Sequence, residues 1–138
     1  MKLQLFCLCD FASVDPVSSK MNVIGMFDRI YAATTPAIHN LCAVAGKVLF
    51  DQEEGGDKKI KITFTAPDGS PFVPALESSL PVNHEEGRSS IQFAVLMSQI
   101  KLLTFGQYSI DLEIEGKHVA SAILQVMKSA AVPQSQPA

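Results

Sequence analysis

The chain is 138 residues long, 47% apolar and only 18% charged, with a net charge of −3. That is one domain's length with enough apolar material for a core, which excludes a largely disordered chain. It carries no basic stripe with interleaved aromatics of the kind that binds nucleic acid, and no apolar run approaches the roughly 20 residues needed to span a bilayer.

The segment Met1–Cys9 has a faint look of a lipoprotein leader. Its apolar run is broken by Gln4 and stopped by Asp10, short of a signal core of about 7–15 residues. Phe6 and Leu8, not small residues, precede Cys7 and Cys9. The reading is a mature N-terminal strand in a cytoplasmic protein. Three cysteines, an odd number, argue against a disulfide scaffold.

Lys2–Phe11 reads as the first strand, with Leu3, Leu5, Cys7, Cys9 and Phe11 on one face and Phe6 and Leu8 on the other. Ala12–Lys20, with Asp15-Pro16, is a loop. Met21–Tyr31 is the second strand, and Gly25 inside it suggests a bulge or a close backbone approach. Leu41–Phe50 is the third, with Cys42, Val44, Val48 and Phe50 facing one way. After a polar loop, Asp51–Lys58, the run Lys59–Thr65 alternates cleanly, turning Ile60, Ile62 and Phe64 inward. Pro67-Asp68-Gly69 is a turn. Phe72–Leu76 is a short edge strand beside Pro71 and Pro74, and Glu77–Arg88 is loop. Ser90–Met97 is strand, and Ile100–Phe105 a corner with a helical turn.

The cleanest pattern follows. Tyr108, Ile110, Leu112 and Ile114 alternate with Gln107, Ser109, Asp111, Glu113 and Glu115, one oily face against one wet face. Glu115-Gly116-Lys117-His118 is a tight hairpin turn into a last strand, His118–Met127. A two-residue turn puts Val119, Ile123 and Met127 inside; a three-residue turn selects Ala120, Ala122, Leu124 and Val126.

Eight strands at short spacing predict an all-β fold, a two-sheet antiparallel sandwich of about 7–9 strands, immunoglobulin-like or similar. One domain covers residues 1–127, with a frayed tail over 128–138. The corner Leu103-x-x-Gly106-x-Tyr108 resembles the penultimate strand of immunoglobulin-like domains, where a tyrosine bonds back to the upstream backbone. The cysteine pair and tryptophan of antibody domains are absent, so the likeness is to the shape.

A second resemblance rests on Cys9-Asp10-Phe11-Ala12-Ser13-Val14 and on Lys20-Met21-Asn22-Val23-Ile24-Gly25-Met26-Phe27-Asp28-Arg29-Ile30. These look like the opening of an uncharacterised family of short bacterial proteins that read Ala-Asp-x-Ala-x-Val and then Gly-Lys-x-x-Val-x-Gly-x-Phe-Asp-x-Ile. Gly106, Tyr108 and Gly116 match its closing strand and hairpin, while Cys9 and Ser19 stand where alanine and glycine are usual. The family resembles a domain of unknown function, which implies a β-sandwich and supplies no activity.

Candidate sites are few. Cys7, Cys9, His39 and Cys42 could number four zinc ligands, but the tight Cys-x₂₋₄-Cys pairs of structural zinc sites are missing and buried cysteine is an ordinary small hydrophobe. Asp51, Glu53, Glu54 and Asp57 could offer oxygens to calcium, though the order is not an EF-hand's and Lys58 and Lys59 follow at once. Asp10 and Asp28 stand in apolar strands, where a carboxylate marks either an active site or a strand end. His39, His84 and His118 lie far apart, and no Gly-x-Ser-x-Gly elbow or His-Glu-x-x-His accompanies them. No cofactor is expected.

The expected function is a non-catalytic cytoplasmic binding or assembly module. A protein partner or a second copy would dock on a sheet edge or on outer apolar residues such as Phe6, Leu8 and Ile24. The alternative is a small metal-dependent or hydrolytic enzyme using Asp10, Asp28 and the histidines.

Overall fold

Period-two patterning becomes strand wherever it occurs. The computed structural model describes residues 1–130. They form β1 (Lys2–Val14), β2 (Met21–Met26), β3 (Arg29–Ala32), β4 (Ala37–Leu49), β5 (Gly56–Thr65), β6 (Pro71–Val82), β7 (Ser90–Leu102), β8 (Gly106–Ile114) and β9 (Lys117–Lys128), with one 3-10 turn at His84–Glu86. Two sheets result, in the orders β2-β1-β4-β7 and β3-β9-β8-β5-β6. Pairing is antiparallel except between β3 and β9, which run parallel.

The oily face of β8 is the floor of the core: Tyr108, Ile110, Leu112 and Ile114 are all buried, beside Ile60, Ile62 and Phe64 of β5. Leu8, Cys42, Val44, Val48, Ile91 and Met97 of the other sheet close over them. Each such side chain contributes about 1.5–3 kcal/mol on burial, so this one interface dominates the stability. The expected corner is present. Tyr108 Oη donates to the Thr104 carbonyl at 2.6 Å and accepts from the Thr104 amide at 3.2 Å.

Several boundaries differ from expectation, each for a tertiary reason. The second strand is two. Phe27 packs on the core and its amide donates to Leu8 O, while Asp28 O accepts from the Gln125 amide, so the chain crosses between sheets at this step. Glu77–Val82 is strand, not loop, because β5 supplies a ladder from Lys61 to Gly56. The prolines of β6 are tolerated on an edge. Residues 100–102 continue β7 against Ala37–His39 of β4 rather than forming a helical turn. Lys128, expected to open the tail, pairs with Ala32 and ends β9; from residue 131 on, the expected tail lies outside the described residues.

The faces of β1 are the reverse of the expected docking surface. Leu8 is buried in the sandwich core, and Phe6 packs there against Phe93. Cys7 and Cys9 lie in a second cluster with Ala12, Ala43 and Ala45. Past Cys9, β1 leaves β4 and pairs only with β2, so Met21 and Val23 of that hairpin cover the alanines. Small side chains let the hairpin lie close. Gly25 takes φ +69°, and a side chain there would strike the Asp10 carboxyl, which is the close approach expected of it.

The last hairpin resolves its register in a way neither simple turn allows. Glu115 and Gly116 form a two-residue turn with both φ positive. Leu112 then pairs with Ala120 while Glu113 pairs with His118, leaving Val119 as a bulge. The extra residue turns Ala120, Ala122, Leu124 and Val126 inward. Among the described residues no helix is long and apolar enough to cross a membrane.

Candidate functional site

Two edge strands face one another across the open side of the sandwich. β7 ends the four-stranded sheet and β6 ends the five-stranded one. The link between them is tied at its base, where Asn83 and Arg88 exchange backbone hydrogen bonds and Asn83 caps the 3-10 turn. Away from that link the strands leave a cleft of about 490 Å³. Its apolar surface comes from Ile60, Ile62, Leu76, Leu80, Phe93 and Val95; Glu77, Ser78 and Gln92 supply polar groups, and Ala12–Val14 of the β1–β2 hairpin form a further wall. A cleft of this size with an apolar lining and few polar groups suits a ligand. Lys61 Nζ lies 3.8 Å from Glu77 Oε1. Gln92 Nε2 donates to Ser19 O at 3.0 Å, while Gln92 Oε1 is buried without a donor.

The zinc candidates are divided between clusters. Cys7 and Cys9 belong to the outer cluster and Cys42 to the sandwich core. Cys9 Sγ donates weakly to Ala43 O at 3.6 Å. His39 packs against Phe27 with ring centroids 5.7 Å apart, and its Nε2 is buried without a partner. Burial pushes the Cys9 and Cys42 thiols up to about 11, and Cys7 upward as well. Packed thiols have these properties.

Of the calcium candidates, Asp51 and Glu54 converge on the Met1 amino group, which lies 3.5 Å from Asp51 Oδ2 and closer to Glu54 Oε1. Glu54 Oε1 accepts from the Met1 amino group and from the Asp51 amide at 3.0 Å. These bonds hold the Glu54 carboxyl below its usual range. Asp57 is already in β5, paired with Pro81, and Glu53 is exposed in the loop. Among the described residues no three His, Cys, Asp or Glu side chains gather so as to hold a metal ion.

Asp10 and Asp28 are exposed, Asp10 against Gly25 and Asp28 beside Arg29 at 3.8 Å. His84 Nε2 lies 3.1 Å from Glu54 O, on the β6–β7 link. The structure thus brings none of the expected acid–histidine pairs together.

It does assemble a group that sequence reasoning missed. His118 Nε2 lies 2.8 Å from Ser121 Oγ, and Ser121 Oγ donates to Asp111 Oδ1. Ser109 Oγ donates to Asp111 Oδ2 at 3.0 Å. The residue types are those of a catalytic triad, but the wiring is not. A triad hydroxyl gives its proton to one imidazole nitrogen while the carboxylate holds the other. Here a single nitrogen faces both groups, 3.4 Å from Asp111 Oδ1, and the serine proton goes to the carboxylate. The group is a hydrogen-bonded network on the wet face of β8 and β9. Its only sequence signal is the cross-strand pair Asp111–Ser121, which exists because of the bulge at Val119.

The molecule is a two-sheet β-sandwich domain with an apolar cleft between the edges of its sheets. Residues 4–127 match the profile of a family of unknown function, DUF6941, and the chain belongs to that family. No curated protein matches it.

Proposed function

We propose that this protein is a non-catalytic binding module of the bacterial cytoplasm that docks a protein partner between the edges of its two sheets. The observation that carries this reading is the β6–β7 cleft, where apolar side chains of both sheets stay partly uncovered beside two unpaired edges. An extended segment can add to such an edge by main-chain hydrogen bonds while its side chains fill the pockets behind. Three free, buried cysteines suit a reducing compartment. The resemblance of the opening motif to that of short bacterial proteins supports the bacterial part of this reading.

Exposed apolar residues elsewhere support an assembly role less strongly. Ile24 is 59% exposed, cross-strand from Phe11, but the pair has no cleft around it.

Photocrosslinking in cells tests the reading. A benzoylphenylalanine replacing Ser78, in the cleft, is expected to give a discrete protein adduct. The same group replacing Thr63, on the wet outer face, is expected to give none. Equal adducts at both positions, or none at 78, would remove the cleft as the docking site. Stoichiometric zinc or calcium in the purified protein would instead favour the metal-dependent alternative.

A further inference from the structure

On a regular strand, residues three apart point to opposite faces. Cys42 of β4 and Met97 of β7 face the core as a cross-strand pair, the arrangement that sets β-carbons about 4.5–5.5 Å apart. Beyond this pair the same strands bury Ile100 and half-bury its partner His39, three residues from Met97 and Cys42 respectively. The inward face switches because each strand carries two consecutive exposed residues there, Asn40-Leu41 and Ser98-Gln99, with Gln99 at φ +54°. The Gln99 side chain bonds across the switch to Asn40 Oδ1 at 3.2 Å. His39 thereby comes round to the side of Cys42 and Met97, and all three line one small cavity between the sheets, of about 10 Å³.

The rest of that lining is leucine, isoleucine and Phe72, so among the described residues His39, Cys42 and Met97 are the only side chains there that carry a nitrogen or a sulfur. His39 Nε2 is buried without a hydrogen-bond partner, and its ring lies tilted against Phe27 with centroids 5.7 Å apart. Native structures rarely leave such a nitrogen idle. The cavity has room for one water molecule or one ion, not for an organic ligand. A water would need two or more polar partners, and the imidazole is the one strongly polar side chain in the lining.

We propose that His39 Nε2, Cys42 Sγ and Met97 Sδ bind a single copper(I) ion. Thiolate and thioether are soft ligands that select copper(I), and imidazole suits copper as well. Binding forms one copper–thiolate bond and releases the Cys42 proton to solvent, with no change in oxidation state. One thiolate cancels the single positive charge, so the complex is neutral in its apolar surroundings. A zinc ion would keep an uncancelled charge there and lack its fourth ligand. Blue-copper sites take a second imidazole, which this lining does not supply. Of the zinc ligands expected from sequence, His39 and Cys42 stay together and Met97 takes the place of the two outer cysteines. The site is separate from the docking cleft and does not depend on it.

Copper(I) held by bicinchoninate without oxygen is the probe, offered to the purified, reduced protein. The wild type is expected to take up one equivalent and to melt at a higher temperature when loaded. X-ray absorption is expected to show one nitrogen and two sulfurs around the metal. Cys42→Ala is expected to abolish uptake. Second-shell changes alone cost about 10–100-fold in metal affinity, so losing the thioether in Met97→Leu is expected to cost at least about tenfold. Leucine keeps the core volume, which makes this variant decisive should Cys42→Ala fail to fold. The double variant Cys7→Ala/Cys9→Ala is expected to bind as the wild type does, since those thiols lie in the outer cluster. No uptake by the folded wild type overturns the site, as does a metal shell of sulfur alone. So does uptake that survives Cys42→Ala, ignores Met97→Leu, or is lost with Cys7 and Cys9.

Discussion

The ring of Phe93 lies against the α-carbon of Gly46. A Cβ built on Gly46 would stand 2.2 Å from Phe93 Cζ. Gly46 pairs with Phe93 on one side and with Phe6 on the other, and the two rings meet edge to face with centroids 6.4 Å apart. The glycine therefore makes room for an aromatic contact across the central strand. Gly46→Ala is expected to destabilise the fold by about 1–3 kcal/mol through overpacking. In a Phe93→Ala background the same change is expected to be neutral or better, since the backbone there does not demand glycine. Urea midpoints of the four proteins measure the coupling, and equal costs in both backgrounds would disprove the steric account.

Tyr108 carries a different kind of contact. Its ring is buried and packs against Phe72 with centroids 5.0 Å apart, while its hydroxyl closes the corner onto Thr104. Tyr108→Phe keeps the ring and removes both hydrogen bonds. Thr104 is exposed, so water replaces the lost partner and the cost stays at about 1 kcal/mol. A thermal melt is expected to fall by about 3–5 °C with an unchanged circular dichroism spectrum. No shift would mean the corner is held by packing alone.

The thiols make stability depend on alkaline pH. Burial pushes Cys9 and Cys42 from about 9 in the open chain to about 11 in the fold. The folded state holds these protons more tightly, so the contribution is intact below about pH 9 and is lost as pH rises toward about 11. The double variant Cys9→Ala/Cys42→Ala is expected to lose less stability than the wild type over that interval in urea titrations. Identical pH slopes would show that these thiols do not titrate with unfolding.

What could be read from the sequence was whatever one strand decides alone. The alternations in β5 and β8 decided their inward faces, and the corner suggested by Leu103-x-x-Gly106-x-Tyr108 is present, with Thr104 as the backbone partner the structure supplies. What could not be read depends on a neighbour. Glu77, Ser78 and Ser79 look like loop because they are polar, and they are strand because β5 bonds to them. Cys7 and Cys9 share a face with Leu5, while an irregularity between Leu3 and Leu5 turns Leu3, expected on that face, to the other one; only the returning hairpin decides that the cysteine face is buried locally. A sheet edge could be anticipated as a binding surface. The cleft itself could not, because Ile62, Leu76 and Phe93 meet only when the two sheets stack.

The bulge at Val119 provides the sharpest trial of that distinction. A two-residue turn and an unbroken ladder would point Val119, Ile123 and Met127 into the core. Ile123 and Met127 are instead exposed, and Leu124 and Val126 are buried. The single extra residue between the pairs Glu113–His118 and Leu112–Ala120 makes the difference. Deleting Val119 forces a choice. Either the ladder runs on without a bulge and keeps the buried face, or the turn reshapes and the face is lost. Because the residues beyond it keep their partners from Ala120 onward, the first outcome is expected, at the cost of Val119's own partly buried contacts. The deletion variant should remain folded, destabilised by about 1–2 kcal/mol, with Asp111 still beside Ser121. An alanine replacing Val119 controls for the side chain. A deletion variant that is insoluble while Val119→Ala folds would show that the bulge itself, and not only the inward set it selects, is required for the hairpin.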